Sequence, residues 1–242
     1  MMKFAADLHT HTLASDHAYS TILENARCAS EAGLRYLGWT DHSCRMVDGP
    51  HLWHFLNIHS VPDMLEGVRI LKGVEADIVD FSGTLDMSDQ ELSGLEWVIA
   101  SIHGPMLSPG TAEEHTAAYL GAAENPNVDV IGHSGYADYP YDYEKAVKRF
   151  RELGKLVEIN NHSFTARQKS IANCVTLARL CKKYECRIVV NSDAHFAAQI
   201  GQLDRAVQML EEIDFPTRLI LNADEERVAE YMEERRKRLG GR

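Results

Sequence analysis

The chain has 242 residues, 45% of them hydrophobic and 25% charged, with a formal net charge of −11. These proportions belong to an ordinary globular protein, a chain of this length can bury a sizeable core, and no stretch approaches the roughly 20 apolar residues that a membrane span needs. The acidic balance argues against extended binding of nucleic acid, because like charge repels a phosphate backbone.

In chain order, short apolar runs alternate with longer amphipathic ones. Strands are expected at Lys3–Leu8, Tyr36–Thr40, Arg69–Ala76, Trp97–Ile102, Val128–Gly132, Leu156–Asn160 and Arg187–Asn191. Helices are expected between them. Ser20–Ala32 has a capping serine and a terminal Gly33, and Ala112–Ala123 follows Thr111 as its cap. Tyr143–Leu153 ends at Gly154, and Ile171–Lys183 precedes the last strand. Helices near Ala198–Glu212 and Asp224–Arg238 close the chain, with an eighth short run, Arg218–Leu221, between them. This rhythm predicts parallel strands with helical crossovers. Seven or eight such units in this length suggest a single-domain α/β barrel over residues 1–242. The basic run Arg235, Arg236, Lys237 and Arg238 reads as a helix C-terminus meeting its dipole.

Five cysteines (Cys28, Cys44, Cys174, Cys181 and Cys186), an odd number without a CxxC pair, argue for a reducing, cytoplasmic setting. Asp7 and the histidines after it interrupt any apolar run at the N-terminus, so no signal peptide is expected.

Metal-type residues fall at one end of these strands. His9 and His11, in DLHTHT, end the first strand, and His17 lies in the loop after it. His42 follows the second strand, Glu75 ends the third, His103 follows the fourth and His133 the fifth. Asp193 and His195, in NSDAH, follow the seventh. The carboxyl ends of parallel barrel strands converge on one mouth, where such folds keep their active sites. Seven histidines and two carboxylates are too many for one ion, which takes about four to six ligands. Two or three ions fit, especially if a carboxylate bridges. Imidazole and carboxylate without thiolate suit zinc, manganese, iron or cobalt. No GxSxG element or phosphate-cradling glycine loop offers another catalytic centre.

The motifs DLHTHT, SDHAYS, TDHS, HLWHF, GVEAD, SIHGP, IGHS, EINN and NSDAH resemble those of the PHP (polymerase and histidinol phosphatase) family. They are closest to its stand-alone, YcdX-like phosphatase branch, and they span residues 7 to 195. The resemblance implies a distorted (β/α)7 TIM-like barrel and three divalent metal ions, zinc first. It implies one ion on His9, His11, Glu75 and Asp193 and a second on Glu75, His103 and His133, with Glu75 bridging. The third would sit on His17, His42 and His195. It further implies hydrolysis of a small phosphorylated metabolite. Clustered cations can stabilise attacking and leaving oxygens together and lower the pKa of bound water toward about 7, so in-line attack of a metal-bridging hydroxide is expected, with Glu75, Asp193 and His195 acting through that hydroxide. His162, after EINN, is a departure from the family pattern.

Supporting groups are expected nearby. Asp7 shares the strand parity of His9 and His11 and would orient one of them, and Asp41 would do so for His42. Arg167 and Lys169 would bind a substrate phosphate oxygen or stay as solvated surface charge, and His162 would either reach the mouth and alter substrate choice or simply sit on its loop. Glu158 lies inside a strand and needs a partner there. His51, His54, His59 and His115 are expected to pack rather than bind metal. Two other readings fit an HxH start. An amidohydrolase barrel would place a bridging lysine after its fourth strand, where this chain has His103, and a non-catalytic metal-binding accessory module would not need the intact ligand set. The sequence is compatible with a homo-oligomer.

Overall fold

A computed structural model describes residues 2–240. Its strands are β1 (Ala6–Thr10), β2 (Tyr36–Trp39), β3 (Met64–Leu65), β4 (Val68–Asp77), β5 (Trp97–Ser101), β6 (Val130–Ile131), β7 (Leu156–Asn160) and β8 (Ile188–Asn191). The α-helices are α1 (Ile22–Glu31), α2 (Trp53–Asn57), α3 (Asp89–Leu92), α4 (Ala112–Glu124), α5 (Tyr143–Glu152), α6 (Ile171–Tyr184), α7 (Asp204–Glu212) and α8 (Glu225–Arg238).

Seven strands run parallel in the order β1-β2-β4-β5-β6-β7-β8, and β3 adds a short antiparallel pair to β4. The ring closes between β8 and β1 without a regular ladder. His11 N–H donates to Ala194 O at 2.9 Å and Asp193 N–H to His9 O at 3.1 Å. Lower down, Asn222 substitutes for ladder bonds. Its amide donates to Ala6 O at 2.8 Å and to Val190 O at 2.5 Å, and its Oδ1 accepts Val190 N–H at 3.0 Å. The fold is thus the expected α/β barrel with one seam stitched by side chains.

Inside the barrel, Leu8, Leu71, Trp97, Ile99, Val130, Leu156 and Val189 form an apolar plug. Val228 and Tyr231 of α8 and Leu221 cover the plug from the N-terminal end of the strands. A second apolar shell lies between strands and outer helices. Filling the lower barrel leaves the mouth as the polar end.

Local chemistry departs from the expected elements in a few places. The cap of α1 is Thr21 and not Ser20, because Thr21 forms a capping box with Glu24. Thr111 caps α4 in the same way with Glu114. The helix expected from Ala198 begins at Asp204, since Ala197–Gln199 is a separate 3-10 turn ending before Gly201, whose φ of 73° breaks helical geometry. Arg218–Leu221 is no strand. It forms parts of two 3-10 turns, with one bridge from Ile220 to Ile188. The basic end of α8 does more than meet its dipole: Arg235 Nε lies 2.7 Å and Arg238 Nη2 2.6 Å from the buried carboxylate of Asp129, beneath the barrel.

Candidate metal centre

The first strand carries the irregularity that builds the site. Asp7 pairs with Leu37 and Thr10 with Trp39, so β1 holds one residue more than β2 across this stretch. Such a bulge breaks the alternation of side chains. Leu8 therefore joins the apolar plug, and His9 beside it still faces the mouth, 3.3 Å from Glu75. Gly38 sits opposite the bulge, where a Cβ would lie 2.4 Å from Leu8 O. The same bulge separates Asp7 from the histidines. Its carboxylate accepts Ser192 N–H at 3.0 Å and Gly201 N–H at 2.9 Å, tying β1 to the segment after β8.

Glu75, at the mouth end of β4, is the hub. Its two oxygens serve different sides. Oε1 lies 2.9 Å from His133 Nε2 and 3.5 Å from His103 Nε2, and it accepts Ser101 Oγ–H at 2.7 Å. Oε2 lies 3.3 Å from His9 Nε2, 3.6 Å from His11 Nε2 and 3.0 Å from His42 Nδ1. Asp193 Oδ1 faces His11 Nε2 at 3.2 Å and His9 Nε2 at 3.6 Å. Two of these residues hold unusual backbone, His133 at φ 22° and Asp193 at φ 57°. Strain of this kind persists where the surroundings fix it, often at functional sites.

Several histidines are held by their other nitrogen. Glu158 Oε1 lies 2.8 Å from His9 Nδ1, Asp77 Oδ1 lies 2.7 Å from His103 Nδ1, and Asp48 meets His17 Nδ1. His195 Nδ1 is 2.9 Å from Asp193 O. Asp41 does not reach the ring of His42. It accepts Thr12 N–H at 2.7 Å, Trp39 Nε1–H at 2.7 Å and Ser15 Oγ–H at 2.9 Å. Ser15 Oγ stands 3.4 Å from His11 Nδ1, so Asp41 approaches His11 through the serine. Glu158, Asp77 and Asp48 contact candidate ligands although their sequence positions do not point to the site.

The atoms left over test whether cations fit. Nε2 of His9, His11 and His195, Nδ1 of His42 and Oε2 of Glu75 are all buried with no hydrogen-bond partner. An unsatisfied buried polar atom costs about 1–3 kcal/mol, so a cluster of them needs a ligand. Imidazole and carboxylate atoms of this kind match the donor set of zinc and its neighbours. Four groups place one ligand atom from each member within 4.8 Å of the others: His9–His11–Asp193, His42–Glu75–His103, His11–His42–His195 and His17–His42–Asp48. All nine expected ligands thus meet at one mouth, with His133 joining through its contact to Glu75. The expected third set is spread over two groups that share His42, and Asp48 enters one of them.

Burial and neighbouring charges push the groups of this cluster in opposite directions. Burial opposes charge on His9, but Glu158, Glu75 and Asp193 outweigh it and hold its imidazole well above the usual range. Burial also opposes charge on His103, yet Glu75 and Asp77 raise it to about 9. Burial and the neighbouring His42 push His11 down to about 3. Burial works against ionised Glu75, but the surrounding histidines hold it well below the carboxylate range.

The family model for the PHP domain matches residues 7–164. The chain is 47% identical to a probable phosphatase of Acetivibrio thermocellus over 238 residues, covering 98% of this chain and 99% of the relative. It is 45% identical to a probable phosphatase of Clostridium novyi, covering 98% of this chain and 97% of that one. The chain belongs to the PHP domain family. A histidinol phosphate phosphatase from Lactococcus lactis, solved with zinc, L-histidinol and phosphate, superposes with a TM-score of 0.64 at 17% identity. That superposition covers 88% of this chain and 94% of the other, and it shows a shared fold. The family match ends before Asp193 and His195, which the full-length relatives cover.

The mouth of this PHP domain opens into a cavity of about 450 Å³ lined by Met46, Pro105, Tyr136, His162 and Arg167 together with the Glu75 cluster. Arg167 lies over the Tyr136 ring at 5.6 Å, and its Nη1 is buried without a partner, 3.8 Å from Asp193 Oδ2. The His162 ring stands 6.1 Å from that of His195. Lys169, in the same segment, is exposed and does not line the cavity. His115 packs as expected, with Nδ1 2.8 Å from Pro140 O and Nε2 accepting Gly110 N–H at 2.8 Å. No helix among the described residues is long and apolar enough to cross a membrane.

Proposed function

We propose that this PHP domain hydrolyses a phosphate monoester of a small metabolite with the help of three divalent cations, zinc foremost, with manganese, iron or cobalt as alternatives. The observation that carries the reading is the set of buried, partnerless imidazole and carboxylate atoms around Glu75, with the free guanidinium nitrogen of Arg167 on the same cavity. Relatives named as probable phosphatases across the whole length support it, as does a like-folded phosphatase holding zinc and phosphate.

His9, His11, Glu75 and Asp193 would hold one ion, Glu75, His103 and His133 a second, and His17, His42 and His195 the third. When bound, such ions supply Lewis acidity toward phosphoryl oxygens and lower the pKa of water toward about 7, so hydroxide is the nucleophile we favour. The chain does the positioning. Glu75 presents one oxygen to each side of the mouth. With an ion bound, Glu158 and Asp77 would accept the Nδ1 protons of His9 and His103 and leave each Nε2 free to face it. Arg167 would donate to a phosphoryl oxygen, and its stacking on Tyr136 fixes the approach. Tyr136, Pro105 and Met46 would exclude bulk water around the ester, with His162 at the edge where the alcohol portion leaves. Five free thiols fit a reducing, cytoplasmic compartment.

The test is metal analysis of the purified protein with phosphate release from a panel of phosphorylated metabolites, and amides as the contrast. Near three equivalents of metal with ester turnover is the expected result. Bound metal with no turnover of any ester would point to an accessory module, and turnover of amides alone to a different hydrolase.

A further inference from the structure

The carboxylates that hold the histidines differ in a way that the ligand set does not. Each expected subsite contains one histidine whose Nδ1 is taken by a carboxylate outside that set: Glu158 on His9, Asp77 on His103 and Asp48 on His17. The first pair is sealed, with both side chains 0% exposed. Glu158 is held by three further donors, Asn191 Nδ2 at 2.8 Å, His133 N–H at 2.8 Å and Asn160 Nδ2 at 3.2 Å. Asp77 is fully buried on β4, and the His103 side chain is 12% exposed. The third pair is open, the His17 side chain 52% and Asp48 23% exposed. Both of its members sit in loops, joined by Asp16 N–H donating to Asp48 O at 2.9 Å. Asp48 Oδ1 has no partner.

We infer that the three subsites are graded in tenacity, with the one built on His17 and oriented by Asp48 exchanging its ion first, while the two around Glu75 keep theirs. The inference rests on the proposed trinuclear reading. Its physical basis is rigidity and water access. A ligand on a strand or just past its end, held by a buried carboxylate, has one geometry and little competing water. A loop histidine half in solvent shares its orienting bond with water and can swing away. Asp48 is a positioning residue here, and it also stands close enough to His17 and His42 to lend an oxygen to the ion.

The test is a stepwise chelator titration of the intact metal-loaded protein, with metal content read directly after each step. One equivalent should leave at chelator strength at least about tenfold below that needed for the other two. Asp48→Asn should weaken that equivalent about 10–100-fold and leave two in place, and Asp48→Glu should restore part of the loss. Glu158→Gln should instead weaken an equivalent of the tightly held pair. Circular dichroism on each variant separates metal loss from unfolding. Release of all three equivalents together, or Asp48→Asn holding three as tightly as the parent, would overturn the grading. A parent protein that takes up no metal would overturn the proposed function itself and the grading with it.

Discussion

The two ends of the barrel both bury charge, and they treat it in opposite ways. Beneath the strands, Asp129 is fully satisfied. It accepts Val98 N–H at 3.0 Å, Arg235 Nε–H at 2.7 Å and Arg238 Nη2–H at 2.6 Å, with Tyr231 Oη at 3.2 Å. Lys155 next to it donates to Asn125 O at 2.8 Å and Val128 O at 2.6 Å. At the mouth, histidine nitrogens and carboxylate oxygens crowd together, and Nε2 of His9, His11 and His195, Nδ1 of His42 and Oε2 of Glu75 have no hydrogen-bond partner. A closed polar network is a fastener. An open one with converging, unpartnered ligand atoms is a receptor for cations, and only the second can do chemistry on a ligand.

The sharpest way to break this contrast is Glu75→Gln. Converting the hub to an amide should abolish binding of at least one ion and reduce turnover by well over the 10–100-fold typical of a supporting residue. Thermal unfolding of the metal-free protein should stay cooperative, because the apolar plug is untouched. Full metal content in that variant would refute the bridge.

Next in size is Asp129→Ala. Removing the acid leaves two arginines without their partner, one of them buried, and should cost about 3–5 kcal/mol of stability. Metal content and kcat of the folded fraction should not change, as read by denaturant melts alongside metal analysis. Loss of metal would mean that the two ends are coupled.

Arg167→Ala should come third. Deleting one charged donor to a phosphoryl oxygen should lower kcat/KM about 10–100-fold without removing metal. An unchanged kcat/KM would remove Arg167 from the substrate.

The smallest effect is in pH. In the metal-free protein His103 is raised to about 9 by Glu75 and Asp77 against the opposing effect of burial. Its protonated form stabilises the fold below about pH 6.5, and that contribution is lost as pH rises through 9. Lys155 runs the other way. Burial, with Arg238 beside it, lowers it to about 8, so between 8 and about 10.5 the unfolded chain binds the proton that the folded chain has lost. Stability attributable to Lys155 therefore rises with pH in that window, by at most about 1.4 kcal/mol per pH unit. Comparing His103→Asn and Lys155→Met with the parent across pH 6–10, metal-free, should show slopes changed in opposite directions.

Much of the barrel was legible because parallel strands buried on both faces read as plain apolar runs, as Trp97–Ile102 does. The mouth was legible because His42, Glu75, His103, His133 and Asp193 each follow or end such a run. The bulge at Leu8 and His9 was not, since alternation with period two is the only rule a short strand offers and an inserted residue leaves no composition signal. Strict alternation gives Asp7 the parity of the histidines, whereas with the bulge its carboxylate meets Ser192 N–H and Gly201 N–H. Glu158 carried a signal in being a charge within an apolar strand, but its partner His9 lies 149 residues away. Asp77 sits two residues beyond Glu75 on the same strand and could have been found by parity. Asp48 has no signal, because loop packing alone brings it to His17.

The proposed chemistry requires cations in the space between Glu75, Asp193 and the facing imidazoles. Anomalous diffraction from crystals grown with zinc tests this most directly. The predicted result is strong density at the mouth on both sides of the Glu75 carboxylate, within bonding distance of His9, His11, His103 and His133. Zinc density confined to surface side chains, with the mouth holding only ordered water, would contradict it.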